Sequence, residues 1–227
     1  MLVHKIARAT GNIARGPAMS RSQALECLQI GAQICLDQIE AGLDLLATGD
    51  MGIGNTTPAA AVACAITNRP VEEIAGRGTG VDDQGMQRKI AAIQRALAIN
   101  RPEPADGVDV LAKLGGFEIG GLAGAILAAA SRRRPVVIDG FISTAAAMIA
   151  VSLAPAVRPY LIAAHTSMEQ GHHVMMDWLQ VRPLLDLRMR LGEGTGAALA
   201  MSLVEASCKI LDEMATFAEA GVAGKDA

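Results

Sequence analysis

The stretch Gly49-Asp50-Met51-Gly52-Ile53-Gly54-Asn55-Thr56-Thr57-Pro58 constrains the fold of this chain more than any other. The apolar run Leu43 to Ala47 before it reads as a buried strand. The Ala-rich segment 58–66 after it reads as a helix with Pro58 in its first turn. Strand, glycine turn and helix together form an anion cradle: glycines let backbone N–H groups approach a ligand, and a helix N-terminus leaves donors unpaired under a favourable dipole. The spacing from Gly49 through Gly54 to Thr56 mimics a nucleotide-binding P-loop, but Asn55 stands where the lysine belongs. Nothing there neutralises a triphosphate, so a nucleoside triphosphatase is disfavoured and a singly phosphorylated ligand fits. The competing explanation is an ordinary tight strand-to-helix turn.

At 227 residues, 51% of them hydrophobic, the chain is long enough for one substantial α/β domain with a small appendage. A net charge of −3 and 2% aromatic residues argue against a nucleic-acid partner, which needs basic surface or stacking rings. Cys27, Cys35, Cys64 and Cys208 form no CxxC pair and read as reduced core residues of a cytoplasmic protein. His165, His172 and His173 lack a fourth ligand at a regular offset, so no metal site is expected. The basic segment Met1 to Arg15 has no apolar core of the signal-peptide kind. Residues 119–130 are too short to span a bilayer and 141–157 are interrupted by Pro155, so both read as helices buried against a sheet, not as membrane spans.

A helix from Ser20 or Ser22 to Ile39 precedes the first strand. A second glycine cluster, residues 76–80, opens on Val81-Asp82-Asp83 and a long helix to Ile99; one of the two aspartates is well placed to cap it. Lys89, two turns into that helix, is either solvated or curled back toward a phosphate held by the glycines. The glycines of Gly115-Gly116-Phe117-Glu118-Ile119-Gly120-Gly121-Leu122-Ala123-Gly124 permit close helix packing, and Glu118 reads as a helix-start carboxylate. Strands 135–138 and 160–164 follow, each leading into a helix, so the sheet is expected to be parallel, with ligands beyond its carboxyl ends. That rim carries Asp50, Asp139, His165 and Ser167. Glu193, flanked by Gly192 and Gly194 before the helix Ala197–Leu211, is exposed to an approaching ligand; as a base at neutral pH it needs an apolar pocket, for which Met51, Met189 and Leu191 are available.

Six blocks in order, residues 51–57, 76–83, 115–119, 138–143, 165–171 and 190–197, strongly resemble the nicotinate-nucleotide:dimethylbenzimidazole phosphoribosyltransferase family. The resemblance implies an α/β fold: a parallel, Rossmann-like sheet, six-stranded in the family, with helices on both faces, plus part of a small helical domain. It implies residues 31–200 as the phosphoribosyltransferase domain, residues 1–30 as a partial small domain with the entry helix, and residues 201–227 as the C-terminal helix completing it. It further implies a homodimer and no cofactor or metal.

The implied reaction displaces nicotinate from nicotinate mononucleotide by a ring nitrogen of 5,6-dimethylbenzimidazole, giving α-ribazole 5′-phosphate for cobalamin lower-ligand assembly. Glu193 would take the proton from the benzimidazole. Asp50 would lie near the ribose and base, in a place where the family usually has glutamate. Met51 and Leu191 would line the base pocket, and Asp139 would lie near the reacting centre. Gly52, Gly78, Lys89 and Ser167 would hold the phosphate beside Asn55 of the cradle. Family members are about half as long again, so an N-terminal third is expected to be missing; the alternative reading is a truncated, inactive nucleotide-phosphate-binding homologue.

Overall fold

The computed structural model describes residues 2–78 and 80–222; Thr79 of the second glycine cluster and residues 223–227 of the C-terminal segment lie outside the described residues, as does Met1. Helix α1 (Arg21–Glu40) starts in a capping box, in which Ser20 Oγ accepts the Gln23 N–H at 3.2 Å and Gln23 Oε1 accepts the Ser20 N–H at 3.0 Å. Strand β1 (Leu46–Ala47), α2 (Thr56–Thr67), α3 (Val71–Ile74), α4 (Asp83–Asn100), α5 (Gly107–Leu114) and α6 (Phe117–Ser131) follow. Then come β2 (Val136–Ile138), α7 (Phe141–Leu153), a 3₁₀ turn (Pro155–Tyr160), β3 (Leu161–His165), α8 (His172–Leu179), β4 (Pro183–Leu185) and α9 (Thr195–Glu213). Of the two candidate caps of α4, Asp82 is the one used: its Oδ1 accepts the Gly85 N–H at 2.7 Å.

The four strands pair in chain order, all parallel, with Leu46 opposite Val136, Val137 opposite Ile162 and His165 opposite Leu185. Each is followed by a helix, α2, α7, α8 and α9 respectively, as parallel pairing requires. The period of two divides the side chains cleanly. Val136, Ile138, Leu161 and Ala163 enter the large core, while Val137 and Ala164 face the other way onto Ala197 and Ala200 of α9. Helices therefore cover both faces.

The large core is built from small residues at very short range. Helix α1 lies along α6 with backbone nearly touching backbone: a Cβ on Gly31 would sit 1.8 Å from Gly121 O, and one on Gly124 would sit 2.0 Å from Leu28 O. The glycine spacing in residues 115–124 thus serves helix packing. Ala59 to Ala63 of α2 and Ala145 to Ala147 of α7 are buried beside it.

The sheet has four strands among the described residues. Several expectations need correction. Strand β1 is shorter than 43–47 and is not buried throughout, because it lies at the sheet edge where Ala47 faces solvent. Cys27, Cys35 and Cys64 are core residues, but Cys208 is exposed on the outer side of α9. Burial pushes the Cys27 and Cys64 thiols up to about 12, so they remain protonated. Among the described residues no helix is long and apolar enough to cross a membrane.

Candidate active site

The first glycine turn joins β1 to α2 at the carboxyl edge of the sheet. Asn55 occupies the N-cap position of α2 but makes no capping hydrogen bond. Its Nδ2 instead donates to Asp50 Oδ2 at 2.8 Å and reaches Glu118 Oε1 at 3.5 Å. The side chain that would ordinarily close the helix end is thus turned aside onto two carboxylates. Glu118 is raised above the usual glutamate range, chiefly by burial and further by the charge of Asp50.

The second turn lies against the first through Lys89. Its Nζ donates to Thr56 Oγ1 at 2.9 Å and to Gly76 O at 2.6 Å, so α4 reaches back to the start of α2. Of the two readings of Lys89, the curled one is realised. Burial holds its ammonium below the usual lysine value, partly offset by the carboxylate of Glu169. Gly78, at φ +56°, donates its N–H to Glu169 Oε2 at 3.3 Å.

The third turn carries Glu193. Gly192, Glu193 and Gly194 have φ of +72°, +59° and +83°, three left-handed residues in succession. Glycine takes this conformation freely, while Glu193 carries a strain of about 1–2 kcal/mol. The turn is held from beneath by Asp139, buried at the end of β2. Asp139 Oδ2 accepts the Gly194 N–H at 3.0 Å and Oδ1 accepts the Ala197 N–H at 3.1 Å. Burial alone would raise the Asp139 carboxyl; His165, with Nδ1 3.4 Å away, and the two amides outweigh it and hold the group below its usual value. Gly196 has no room for a side chain, since a Cβ there would lie 2.0 Å from His165 Nδ1. Gly49 meets Gly194 backbone to backbone, a Cβ on Gly49 falling 2.6 Å from Gly194 N, and this joins the first turn to the third.

The loop after β3 is fixed by a buried histidine. His172 Nδ1 accepts the Ser167 N–H at 3.0 Å, which makes Nε2–H the donor to Thr144 Oγ1 at 3.0 Å. The Thr144 hydroxyl donates in turn to Gly140 O at 2.9 Å. Both ring nitrogens are used, and burial pulls the His172 pKa down to about 4. No group of three or more His, Cys, Asp or Glu side chains suited to a metal occurs among the described residues.

Of the residues expected at the site, Asp50, Gly52, Asn55, Gly78, Asp139, Ser167, Leu191 and Glu193 line one cavity of about 470 Å³. Lys89 closes an adjoining recess of about 140 Å³ that shares Gly52, Asn55 and Thr56 with it. Met51 lines an adjoining hollow of about 550 Å³, formed with residues 9–13 and 115–118, which shares Asp50, Gly52 and Asn55 with the cavity. The apolar pocket expected around Glu193 is not closed: Met51 is 81% exposed and Leu191 65%, because both project from turns and meet no covering element. Glu193 forms no ion pair among the described residues. Asp139 contributes a carboxylate to the cavity wall, but its oxygens are taken by backbone amides, so it positions the Glu193 turn. Three residues were missed as site members. Thr56 and Glu169 lay inside blocks already singled out, and Glu118 was read as a helix-start residue when its carboxylate faces Asn55.

An open parallel sheet whose cavity lies beyond the strand ends, ringed by glycine turns, defines a Rossmann-like α/β domain of the anion-cradle class. A family model described as phosphoribosyltransferase matches residues 1–222, and the chain belongs to that family. It is 63% identical over 225 residues to the nicotinate-nucleotide–dimethylbenzimidazole phosphoribosyltransferase of Roseiflexus sp. (strain RS-1), covering 99% of this chain and 64% of that protein. The enzyme of the same name from Geobacter sulfurreducens is 54% identical, again with 64% of its length covered. The crystal structure of CobT from Thermus thermophilus superposes with a TM-score of 0.93 at 47% identity, over 98% of this chain and 66% of that one. The chain thus spans roughly two thirds of the length of these relatives.

Proposed function

We propose that this chain carries the site at which the phosphoribosyl group of nicotinate mononucleotide passes to 5,6-dimethylbenzimidazole, giving α-ribazole 5′-phosphate and nicotinate. The observation that carries this reading is the opening of two glycine turns and the Glu193 turn onto one crevice. The 5′-phosphate lies at the start of α2, met by the amides of Gly52 and Gly78, the hydroxyl of Ser167 and the ammonium of Lys89. The bond from C1′ to the pyridinium nitrogen breaks and its electron pair leaves with nicotinate. A benzimidazole nitrogen attacks C1′ from the opposite face, inverting it, and Glu193 takes the proton from the other ring nitrogen. Asp50 lies near the ribose and base, and Met51 and Leu191 are the apolar surfaces available to the incoming ring. No metal is needed, since the departing pyridinium carries no pyrophosphate.

Residues 31–200 form the catalytic domain in this reading, with 1–30 and 201–227 contributing to a smaller helical one. Both α1 and α9 run continuously across these boundaries, so the two parts share helices. We place the protein in the cytoplasm as a homodimer. The test is release of nicotinate from nicotinate mononucleotide on adding dimethylbenzimidazole. Glu193→Gln is expected to lower turnover by about 100-fold or more, as loss of a general base does; wild-type rate in that variant overturns the assignment of the base. A second reading, nucleotide-phosphate binding without turnover, is favoured by the exposure of Met51 and Leu191. Calorimetric binding of nicotinate mononucleotide with no nicotinate release distinguishes it.

A further inference from the structure

Three of the four groups assigned to the phosphate, Gly78, Ser167 and Lys89, also meet Glu169, which is an anion. Glu169 lies in the loop between β3 and α8, and its Oε2 accepts the Gly78 N–H at 3.3 Å. The same oxygen lies over Gly76, where a Cβ would be 2.1 Å from it, so only glycine admits the carboxylate there. Lys89, bonded to Gly76 O and Thr56 Oγ1, feels that carboxylate directly. The Glu169 N–H donates to Ser167 Oγ at 3.3 Å, which leaves the serine hydroxyl proton free for a ligand. Glu169, Ser167 and Gly78 all line the main cavity.

We propose that Glu169 makes this subsite specific for a phosphate monoester that carries a proton: the P–OH donates to the Glu169 carboxylate, which gives up the Gly78 N–H, and the remaining oxygens take the Gly52 and Gly78 amides, Ser167 and Lys89. The inference rests on the phosphate reading given above. Two anions within hydrogen-bond reach of one another in a partly desolvated cleft cannot both stay ionised; one of them keeps a proton. A phosphomonoester has its second pKa near 6, above that of a free carboxylate, so the proton stays with the ligand.

The surrounding charges leave two cations beside the subsite: Lys89, half-buried and fixed on Thr56 and Gly76, and Arg190, exposed on the Glu193 turn and lining the same cavity. Arg77 is turned away onto Val81 O and Asp83. Asp139 is tied to the amides beneath Glu193, and His172 has both nitrogens engaged. Asp50 and Glu193, on the facing turns, add further negative charge. A site governed by Lys89, Arg190 and the α2 dipole alone would prefer the dianion, and its affinity would rise with pH. With Glu169 in place the sign reverses.

The experiment is calorimetric titration of the 227-residue chain and of Glu169→Gln with nicotinate mononucleotide from about pH 6 to pH 8, in buffers of different ionisation enthalpy. Affinity of the unaltered chain is expected to fall about 50-fold over this range, following the monoanion population, with uptake of about one proton per ligand at the upper end. Glu169→Gln, which keeps the shape and loses the charge, is expected to show no such fall and no proton uptake. Binding by both proteins with the same pH slope and the same proton count overturns the role of Glu169 and leaves the phosphate subsite standing. Absence of binding by either folded protein at every pH overturns the subsite, and this inference with it.

Discussion

The two faces of the sheet are closed in different ways. On the α1–α6–α7 face, glycines and alanines bring helix backbones into contact, and the core has no slack. On the other face a single helix, α9, lies across all four strands with only Ala197 and Ala200 as its buried apolar residues; Leu199, Leu203, Ile210 and Leu211 are exposed. The first face is specified by residues too small to vary. The second is specified at one end only, where Asp139 ties the start of α9 to the end of β2. The cavity opens at the junction, so the site has a rigid wall on one side and a pinned turn on the other.

The largest expected effect breaks the tight face. Gly124→Ala forces its methyl onto Leu28 O, a backbone atom that cannot swing aside, and is expected to cost about 3 kcal/mol or more in denaturant-induced unfolding. A change below about 1 kcal/mol would mean that α1 and α6 separate easily. Asp139→Ala attacks the pin, stranding the Gly194 and Ala197 amides. A loss of about 3 kcal/mol is expected, with turnover falling alongside that of Glu193→Gln.

Acid tests the tight face by another route. His172 is neutral in the folded chain with its pKa pulled down to about 4, whereas an unfolded histidine titrates near about 6.5. The unfolded state therefore binds the extra proton between these values, and stability is lost as pH falls through that window. The loss by about pH 4 is expected to be about 3 kcal/mol, and His172→Gln should flatten the slope measured by unfolding at a series of pH values. The smallest effect belongs to the open face. Leu203→Ala, 43% exposed, is expected to shift stability by less than about 0.5 kcal/mol, and a larger cost would show that α9 is covered in solution.

Much of this division was legible in the sequence. The alternation of strand and helix and the two glycine clusters require a parallel sheet with loops at one edge, and the glycine spacing in α6 announces a close helix contact. Strand β4 escaped because it is three residues long and starts with Pro183, which gives no periodic signal. Local spacing carries no information about exposure, so it does not reveal that Met51 and Leu191 project uncovered from their turns. Nor does it say which distant carboxylate a side chain will find. The tie between Asn55 and Glu118 spans 63 positions, and the one between Gly78 and Glu169 spans 91.

The contact of Gly49 with Gly194 has a mechanical consequence. No side chains cushion the two loops, so neither can shift without carrying the other. Whatever settles against the start of α2 meets a carboxylate whose height above the crevice is already fixed by main-chain geometry, and only the torsions of Glu193 itself remain to be adjusted.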